Sequence, residues 1–240
     1  MGDHIEITVP EGSFAAYRAV PAALPAPAVV VLHEVFGVNA DMRETCDTLA
    51  AHGFIAICPD LFWRQQRGTD LDVRSEADWQ TGLRLYQAFD RNLGVQDIAA
   101  TVGAAASLAG ATGKVGVLGY CLGGLLTFLA AARLQIDAGV AFHGADTERY
   151  LGEADAISAP MLLHFAGDDE FMPEPARTAI AMALIDHDDT EVFTYAGCRH
   201  AFSRHNGAHY DAAAAALANQ RTWAFFAKWL EAPGGSARAE

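Results

Sequence analysis

Short runs of apolar residues alternate along this chain with longer segments that have helical periodicity. A run that is apolar at every position predicts a strand buried on both faces of a sheet. On this pattern we predict strands at 28–32, 54–58, 115–118 and 138–142, and we predict two further strands, which include polar residues, at 161–165 and 191–195. Helices are predicted at 41–51, at about 76–90 and 95–110, at 125–132, and from an Asp211 N-cap to about residue 230. The alternation predicts an α/β fold whose mostly parallel central sheet is covered by helices on both faces.

Three less regular segments complete this pattern. An opening hairpin is predicted for 6–9 and 14–20, around the turn sequence Pro-Glu-Gly-Ser. Residues 62–74 are polar and rich in arginine, which predicts a surface segment. We expect residues 1–231 to form a single domain, followed by a flexible C-terminal tail over 232–240 that contains Pro-Gly-Gly-Ser.

Composition and charge narrow the possible partners. The chain has 240 residues, of which 52% are hydrophobic and 19% charged, as expected of a globular domain with a sizeable core. Its net charge of −14 disfavours nucleic acids and anionic membranes. From its first residues we expect no secretory leader, and the sequence contains no apolar stretch of membrane-spanning length and no CxxC pair. We therefore expect a cytoplasmic protein, a monomer or small homo-oligomer, whose partner is a small molecule.

A glycine-rich segment at 119–124, Gly-Tyr-Cys-Leu-Gly-Gly, lies between a predicted strand and a predicted helix. A nucleophile flanked by glycines at such a turn is typical of α/β-hydrolases, and here Cys121 stands where serine is usual. Side chains at Gly119 or Gly123 would collide with the neighbouring strand and helix. The N-terminus of the following helix would stabilise a thiolate. The alternative interpretation is a buried structural cysteine.

An acid and a histidine follow this cysteine in the order that α/β-hydrolases use. Asp168 and Asp169 come after the strand predicted at 161–165, and both are possible partners of a histidine. The spacing of Asp169 in its loop favours it, although a solvated acidic turn is the alternative. His200 comes just after the strand predicted at 191–195 and is the strongest of the nine histidines as a base.

The loop after the strand at 28–32 supplies further candidates. An oxyanion needs two backbone N–H donors, which we expect from Leu122, after the nucleophile, and from Val35. Glu34 follows an apolar strand, so its carboxylate is a candidate acceptor of the Cys121 proton, or else a surface glutamate. No histidine pair has the context of a helical zinc site, so we predict no metal.

With these motifs assembled, the chain resembles the dienelactone hydrolases (carboxymethylenebutenolidases) from about residue 5 to 230. The resemblance rests on 33–37 (His-Glu-Val-Phe-Gly), 58–61 (Cys-Pro-Asp-Leu), 87–90 (Gln-Ala-Phe-Asp), 119–124, the loop at 169–173, 200–202 (His-Ala-Phe) and 216–222. It implies an α/β-hydrolase that opens an enol-lactone of the 4-carboxymethylenebut-2-en-4-olide type to a 4-oxo-carboxylic acid of the maleylacetate type. It also implies a role in the degradation of aromatic compounds, with no cofactor.

The same resemblance assigns roles to individual residues. It implies that Cys121, Asp169 and His200 form a catalytic triad. It implies that Glu34 activates the thiol once substrate binds, and that Arg204 binds the substrate carboxylate.

One position departs from the family pattern. Trp79 stands where the well-studied members carry a second carboxylate-binding arginine, so we expect a larger apolar pocket. Phe36, Tyr120 and His143 are further candidates for contact with the substrate. Two alternatives stay open: a thiol-dependent esterase or thioesterase for another activated ester, and a non-catalytic ligand-binding protein on a hydrolase fold.

Overall fold

The computed structural model describes residues 2–230 of this chain. Eight strands form one sheet in the order β1-β2-β4-β3-β5-β6-β7-β8. Their bounds are β1 Asp3–Val9, β2 Gly12–Ala19, β3 Ala26–Leu32, β4 Ile55–Pro59, β5 Ala111–Tyr120, β6 Ala138–Phe142, β7 Met161–Ala166 and β8 Thr190–Tyr195. The hairpin of β1 and β2 is antiparallel and pairs with β4, while β4, β3, β5, β6, β7 and β8 run parallel.

Helices cover both faces of this sheet. Their bounds are α1 Ala40–Ala51, α2 Glu76–Ala88, α3 Arg91–Ala106, α4 Leu122–Arg133, α5 Glu174–Ala183 and α6 Ala212–Leu230, with a 3₁₀ helix at Thr147–Ala156. Because successive strand residues point to opposite faces, Val30 packs in the core beneath α3 and α4, and Val31 in the core beneath α1 and α6. The predicted α/β architecture, with its mostly parallel sheet and two helical layers, is confirmed.

Most predicted elements match the structure within a few residues. Helix α3 begins at Arg91 rather than near residue 95, because the Asp90 side chain accepts hydrogen bonds from the N–H groups of Asn92 (2.8 Å) and Leu93 (3.1 Å). At the start of α6 the Asp211 side chain accepts from the N–H of Ala214 at 2.9 Å, as the predicted cap requires.

The predicted surface segment at 62–74 is wrong for its first residues. Phe62 and Trp63 are buried, and Trp63 donates its indole N–H to Asp97 at 2.8 Å. The ring of Trp63 also stacks on Phe14 at 5.6 Å between centroids. These two aromatic residues therefore belong to the core. The sequence does not indicate this, because arginines surround them.

The carboxyl ends of five neighbouring parallel strands bring the candidate loops together. Sites in sheets of this kind form at that edge. Strand β5, which leads into Cys121, lies between β3 and β6, and β7 and β8 follow in order. The predicted tail at 232–240 and residue 231 lie outside the described residues. Within residues 2–230, no helix is both long enough and apolar enough to cross a membrane.

Candidate active site

Cys121 occupies a strained turn between β5 and α4. Its φ of 53° lies in the left-handed region, which a non-glycine residue adopts only when its surroundings impose it. Its N–H donates to the carbonyl of Phe142 at 3.1 Å and its carbonyl accepts from the N–H of Leu125 at 3.1 Å. These bonds hold the thiol, which is partly exposed, at the N-terminus of α4.

Two glycines make this turn possible for steric reasons. A Cβ atom on Gly119 would lie 1.9 Å from the carbonyl oxygen of Gly123, and one on Gly123 would lie 2.1 Å from the carbonyl oxygen of Leu32. Both contacts are with backbone, which cannot move aside as a flexible side chain can. The turn is therefore packed against α4 on one side and β3 on the other, as the sequence predicts.

His200 and Asp169 are brought together by the loops after β7 and β8. The Nδ1 atom of His200 lies 2.9 Å from each carboxylate oxygen of Asp169, and both residues are buried. Asp168, the other acid that the sequence allows, is exposed. Asp169 is therefore the partner of His200, and its bond to Nδ1 leaves Nε2 as the nitrogen that faces other groups.

The Asp169 loop is fixed by its own hydrogen bonds. Oδ1 of Asp169 accepts from the N–H groups of Phe171 (2.9 Å) and Met172 (3.1 Å). Arg177 of α5 donates to the carbonyl of Gly167 at 2.8 Å and to that of Met172 at 2.7 Å. A carboxylate held by backbone N–H groups stays in one orientation, so this loop positions the His200 ring.

The charge of His200 is set by its two neighbours. Burial lowers the pKa of His200, but the negative charge of a Cys121 thiolate and the hydrogen bond that His200 donates to Asp169 outweigh burial and raise the pKa to about 10. The Nε2 atom is buried and has no hydrogen-bond partner of normal geometry among residues 2–230. The site can therefore hold an imidazolium beside a thiolate, the arrangement used by cysteine nucleophiles.

Glu34 lies at the end of β3 and forms a buried ion pair with Arg204. The Nε atom of Arg204 donates to Oε1 of Glu34 at 2.7 Å, and its Nη2 atom donates to Oε2. The Arg204 guanidinium also lies over the Phe36 ring, 4.9 Å from its centroid. The Glu34 side chain is 2% exposed, so it is not the surface residue that the sequence left possible.

The candidate oxyanion donors are the backbone N–H groups of Leu122 and Val35. Leu122 is the first residue of α4, so its N–H has no acceptor within the helix. Val35 is in the loop after β3, which His33 anchors. The Nε2 atom of His33 accepts from the N–H of Leu61 at 3.1 Å, so its Nδ1 carries the proton and donates to the carbonyl of Glu34 at 2.7 Å.

An open cleft of about 470 Å³ exposes the candidate nucleophile and base. Phe36, Trp79 and Phe171 form one wall, with centroids 6.0 Å apart between the first two rings and 6.1 Å between the last two. The Phe171 ring also meets the His200 ring edge-on at 4.9 Å. Trp79 therefore lines an apolar wall, as the sequence suggests. Arg74 lies at the rim with its side chain 73% exposed.

Tyr120 and His143 line a second, smaller cavity of about 40 Å³ rather than the open cleft. Tyr120 precedes Cys121 in the chain, so its side chain leaves on the opposite face of the sheet. The His143 ring lies 4.5 Å from the His200 ring, and burial, His200 and Arg204 hold the pKa of His143 well below its usual value. These two residues pack behind the site, and contact between them and a substrate stays a prediction.

The cleft also contains residues that the sequence analysis did not single out. Leu83 and Tyr86 follow Trp79 at helical spacing on α2 and line the same wall, so the spacing alone gives a signal for them. Asp146, in the loop after β6, also lines the cleft and accepts a hydrogen bond from the Tyr86 hydroxyl. No sequence pattern identifies Asp146.

Comparison with known proteins agrees with this fold. The model of the dienelactone hydrolase family matches residues 14–230. The carboxymethylenebutenolidase of Pseudomonas putida is 41% identical over 90% of this chain and 91% of its own. Carboxymethylenebutenolidase 1 of Cupriavidus pinatubonensis is 34% identical over 92% of this chain and 95% of its own.

A solved structure agrees as well. The crystal structure of a candidate dienelactone hydrolase from Klebsiella pneumoniae subsp. pneumoniae superposes with a TM-score of 0.84 at 26% identity, covering 95% of this chain and 99% of the other. The family model and the curated relatives both span nearly the whole sheet and its helices. The chain therefore belongs to the dienelactone hydrolase family and is a lactone or ester hydrolase with the α/β-hydrolase fold.

Proposed function

We propose that this protein opens an enol-lactone of the 4-carboxymethylenebut-2-en-4-olide type with Cys121 as nucleophile, His200 as base and Asp169 as orienting acid. The observation that carries the proposal is the location of Cys121 at a left-handed turn, in the same cleft as a histidine bonded to a buried aspartate. A thiol, a base and an acid that orients the base are the three groups that acyl transfer through cysteine requires.

The first half of the reaction begins with the substrate carboxylate at Arg204. Within residues 2–230 its Nη1 atom makes no hydrogen bond, so it offers a first contact to an anion. The carboxylate then displaces Glu34, which takes the proton of the Cys121 thiol. The resulting thiolate is balanced by the His200 imidazolium.

The second half forms and hydrolyses a thioester. The thiolate attacks the lactone carbonyl carbon, and the oxyanion accepts hydrogen bonds from the N–H groups of Leu122 and Val35. The ring C–O bond breaks, and the enolate takes the proton of the His200 imidazolium to become the ketone of a 4-oxo acid, which leaves His200 neutral. Water, deprotonated by His200, attacks the thioester carbonyl and expels the Cys121 thiolate, which completes the second carboxylate.

The leaving group limits the substrates of this mechanism. A thiolate is expelled more readily than an amine or a plain alkoxide, so the thiolate attacks productively only where the departing oxygen is already a good leaving group. An enolate meets this requirement. We therefore expect weak activity on peptides and on simple alkyl esters. A place in the cytoplasmic degradation of aromatic compounds is part of the same proposal.

The aromatic wall favours a second candidate, a thiol-dependent esterase for a less polar activated ester. Trp79 lies beside Phe36 and Phe171, and an arginine at this position would have been a second ligand, with Arg204, for the substrate carboxylate. Trp79→Arg should raise kcat/KM for the enol-lactone and lower it for an uncharged aryl ester. A wild-type protein with a higher kcat/KM for the aryl ester than for the enol-lactone would favour this second candidate.

Mass spectrometry of a quenched reaction tests the proposed nucleophile. We expect the peptide that contains Cys121 to carry the mass of the opened lactone, and the His200→Ala variant to accumulate this adduct. An adduct on any other residue would contradict the proposal. A stoichiometric adduct in the wild-type protein, with no turnover, would instead indicate a ligand-binding protein.

A further inference from the structure

A hydrogen-bonded pair, Tyr86 and Asp146, forms part of the cleft wall that the proposed mechanism does not use. Tyr86 lies on the face of α2 that also carries Trp79 and Leu83, and all three line the cleft with Cys121. Asp146 approaches from the loop after β6 in a left-handed conformation, with φ of 70°. A non-glycine residue in that conformation indicates that the surroundings hold its side chain in place.

The direction of the hydrogen bond leaves Tyr86 as an acceptor. A carboxylate has no proton to donate, so the Tyr86 hydroxyl donates its only proton to Oδ2 of Asp146. Burial, Asp146 and the nearby Cys121 raise the pKa of Tyr86, so the phenol keeps this proton. The phenolic oxygen therefore offers the cleft a lone pair and no donor.

Two arginines hold Asp146 from outside the cleft. The Nε atom of Arg149 lies 3.0 Å from Oδ1, and the Nη2 atom of Arg91 lies 4.0 Å from Oδ2. Arg91 also covers the Tyr86 ring, with its guanidinium carbon 4.8 Å from the ring centroid. Neither arginine lines the cleft, so a substrate at Tyr86 and Asp146 meets the acceptor oxygens of these two residues.

Arg204, which comes from the segment after β8, is bound to Glu34 after β3, whereas Tyr86 is bound to Asp146 after β6. Strand β5 leads into Cys121 and lies between β3, which ends near Glu34, and β6, which ends near Asp146. The β3 side carries the Arg204 cation, and the β6 side carries the Tyr86 oxygen and the Asp146 carboxylate. A substrate with its carbonyl at Cys121 thus has a cationic neighbour on one side and acceptors on the other.

We propose that Tyr86 and Asp146 form a second substrate subsite, which accepts a hydrogen bond from a neutral hydroxyl group and rejects a second carboxylate. This inference rests on the proposed function and narrows its substrates. They are activated esters or lactones with one carboxylate, bound by Arg204, and a hydroxyl group on the opposite side of the reacting carbonyl. Asp146 holds the Tyr86 proton and thereby fixes the phenolic oxygen as an acceptor.

A series of three phenyl monoesters of glutaric acid tests this subsite. Each has the acyl-chain carboxylate for Arg204, and the meta position of the phenol leaving group, on the other side of the ester carbonyl, carries hydrogen, hydroxymethyl or carboxymethyl. Rates are corrected with the Cys121→Ala variant. The wild-type protein should prefer the hydroxyl probe over the hydrogen probe by about fivefold in kcat/KM, the scale of one neutral hydrogen bond. It should discriminate against the carboxylate probe.

Variants of the pair then separate recognition from structural support. Tyr86→Phe keeps the ring beneath Arg91 and should reduce the hydroxyl preference to about one, through KM rather than kcat. Asp146→Asn supplies amide donors and should raise kcat/KM for the carboxylate probe by about tenfold relative to the hydrogen probe. Tyr150→Phe, on the 3₁₀ helix outside the cleft, is the matched control and should leave all three ratios unchanged.

The ratios decide between the possible outcomes. A wild-type protein without hydroxyl preference would overturn the inference, and so would a Tyr86→Phe variant that loses activity equally on all three probes. In either case, if turnover of the hydrogen probe is lost in Cys121→Ala, the proposed function still stands. Absence of Cys121-dependent turnover of every probe would overturn the proposed function, and the inference with it.

Discussion

Arg204 binds both carboxylate oxygens of Glu34, through Nε at 2.7 Å and through Nη2. The group proposed to take the thiol proton is thus bound to the group proposed to receive the substrate. Neither changes partner unless another anion competes for Arg204, because a ligand shifts such an equilibrium only by its differential affinity. Substrate binding and thiol activation are therefore coupled in the proposed mechanism.

This coupling predicts a substrate-dependent effect of Arg204→Gln. For the enol-lactone carboxylate, kcat/KM should fall by about 100-fold, the scale of a buried charged hydrogen bond. For neutral 4-nitrophenyl acetate the loss should stay below about tenfold, because that ester has no carboxylate to bind. Arg199→Gln, which removes an exposed arginine paired with Glu170, is the control and should match the wild type on both esters. Equal losses on both esters in Arg204→Gln would contradict a role in carboxylate binding.

Two adjacent aspartates provide a direct test of the proposed triad. Asp169→Asn removes the charge that orients and stabilises the His200 ring, and kcat should fall by about 1,000-fold or more. Asp168→Asn alters an exposed neighbour and should change kcat by less than about twofold. The measurement is steady-state hydrolysis of the enol-lactone by both variants. A larger loss in Asp168→Asn would reverse the assignment.

Replacement by alanine should have opposite effects on stability at two glycines, one in the turn at Cys121 and one in helix α3. Gly123→Ala places a Cβ atom 2.1 Å from the Leu32 carbonyl oxygen and should lower the free energy of unfolding by about 3 kcal/mol or more. Gly103, in helix α3, has no atom within 4 Å of such a Cβ. Gly103→Ala should therefore stabilise the protein by roughly 0.5–1 kcal/mol. Denaturant unfolding checks both, and a well-folded Gly123→Ala variant would contradict the packing described here.

Buried His164 predicts a loss of stability in acid. Its ring nitrogens contact the Tyr195 hydroxyl (2.9 Å) and the Thr222 hydroxyl (3.1 Å), and burial lowers the pKa of His164 to about 3. In the unfolded chain a histidine titrates near about 6.5, so between these two values the unfolded chain binds the extra proton. The contribution of His164 to stability is therefore complete above pH 6.5 or so and declines as the pH falls towards 3.

Unfolding measurements at several pH values test this linkage. Between pH 6 and 4, roughly, the wild-type free energy of unfolding should fall more steeply than that of His164→Gln, by about 1.4 kcal/mol per pH unit. His4→Gln replaces an exposed histidine of β1 and serves as the control, with the wild-type slope expected. Parallel slopes for His164→Gln and the wild type would show that His164 is not held neutral.

The triad candidates are predictable from sequence because each depends on a local signal. Cys121 has glycines two residues away on either side, and His200 follows directly on a strand and its turn. The choice between Asp168 and Asp169 is harder to make from sequence, because only the structure shows that Asp169 is buried and bonded to His200.

Other features depend on contacts between distant segments. Tyr86 and Asp146 are separated by 60 positions and meet only when the fold brings α2 to the loop after β6. Phe62 and Trp63 lie in an arginine-rich segment, yet both rings are buried in the core, where Trp63 stacks on Phe14. The periodicity of apolar residues indicates which side of a segment is buried. It does not indicate which residue from a distant part of the chain will contact that side.

The most direct test of the central claim is the loss of dienelactone ultraviolet absorbance with the wild-type protein, Cys121→Ala and Cys198→Ala. Cys198 is a buried cysteine outside the cleft lining and provides the matched control. We predict rapid loss with the wild type and with Cys198→Ala, and none above background with Cys121→Ala. Lactone opening that persists in a folded Cys121→Ala variant would contradict Cys121 as the nucleophile.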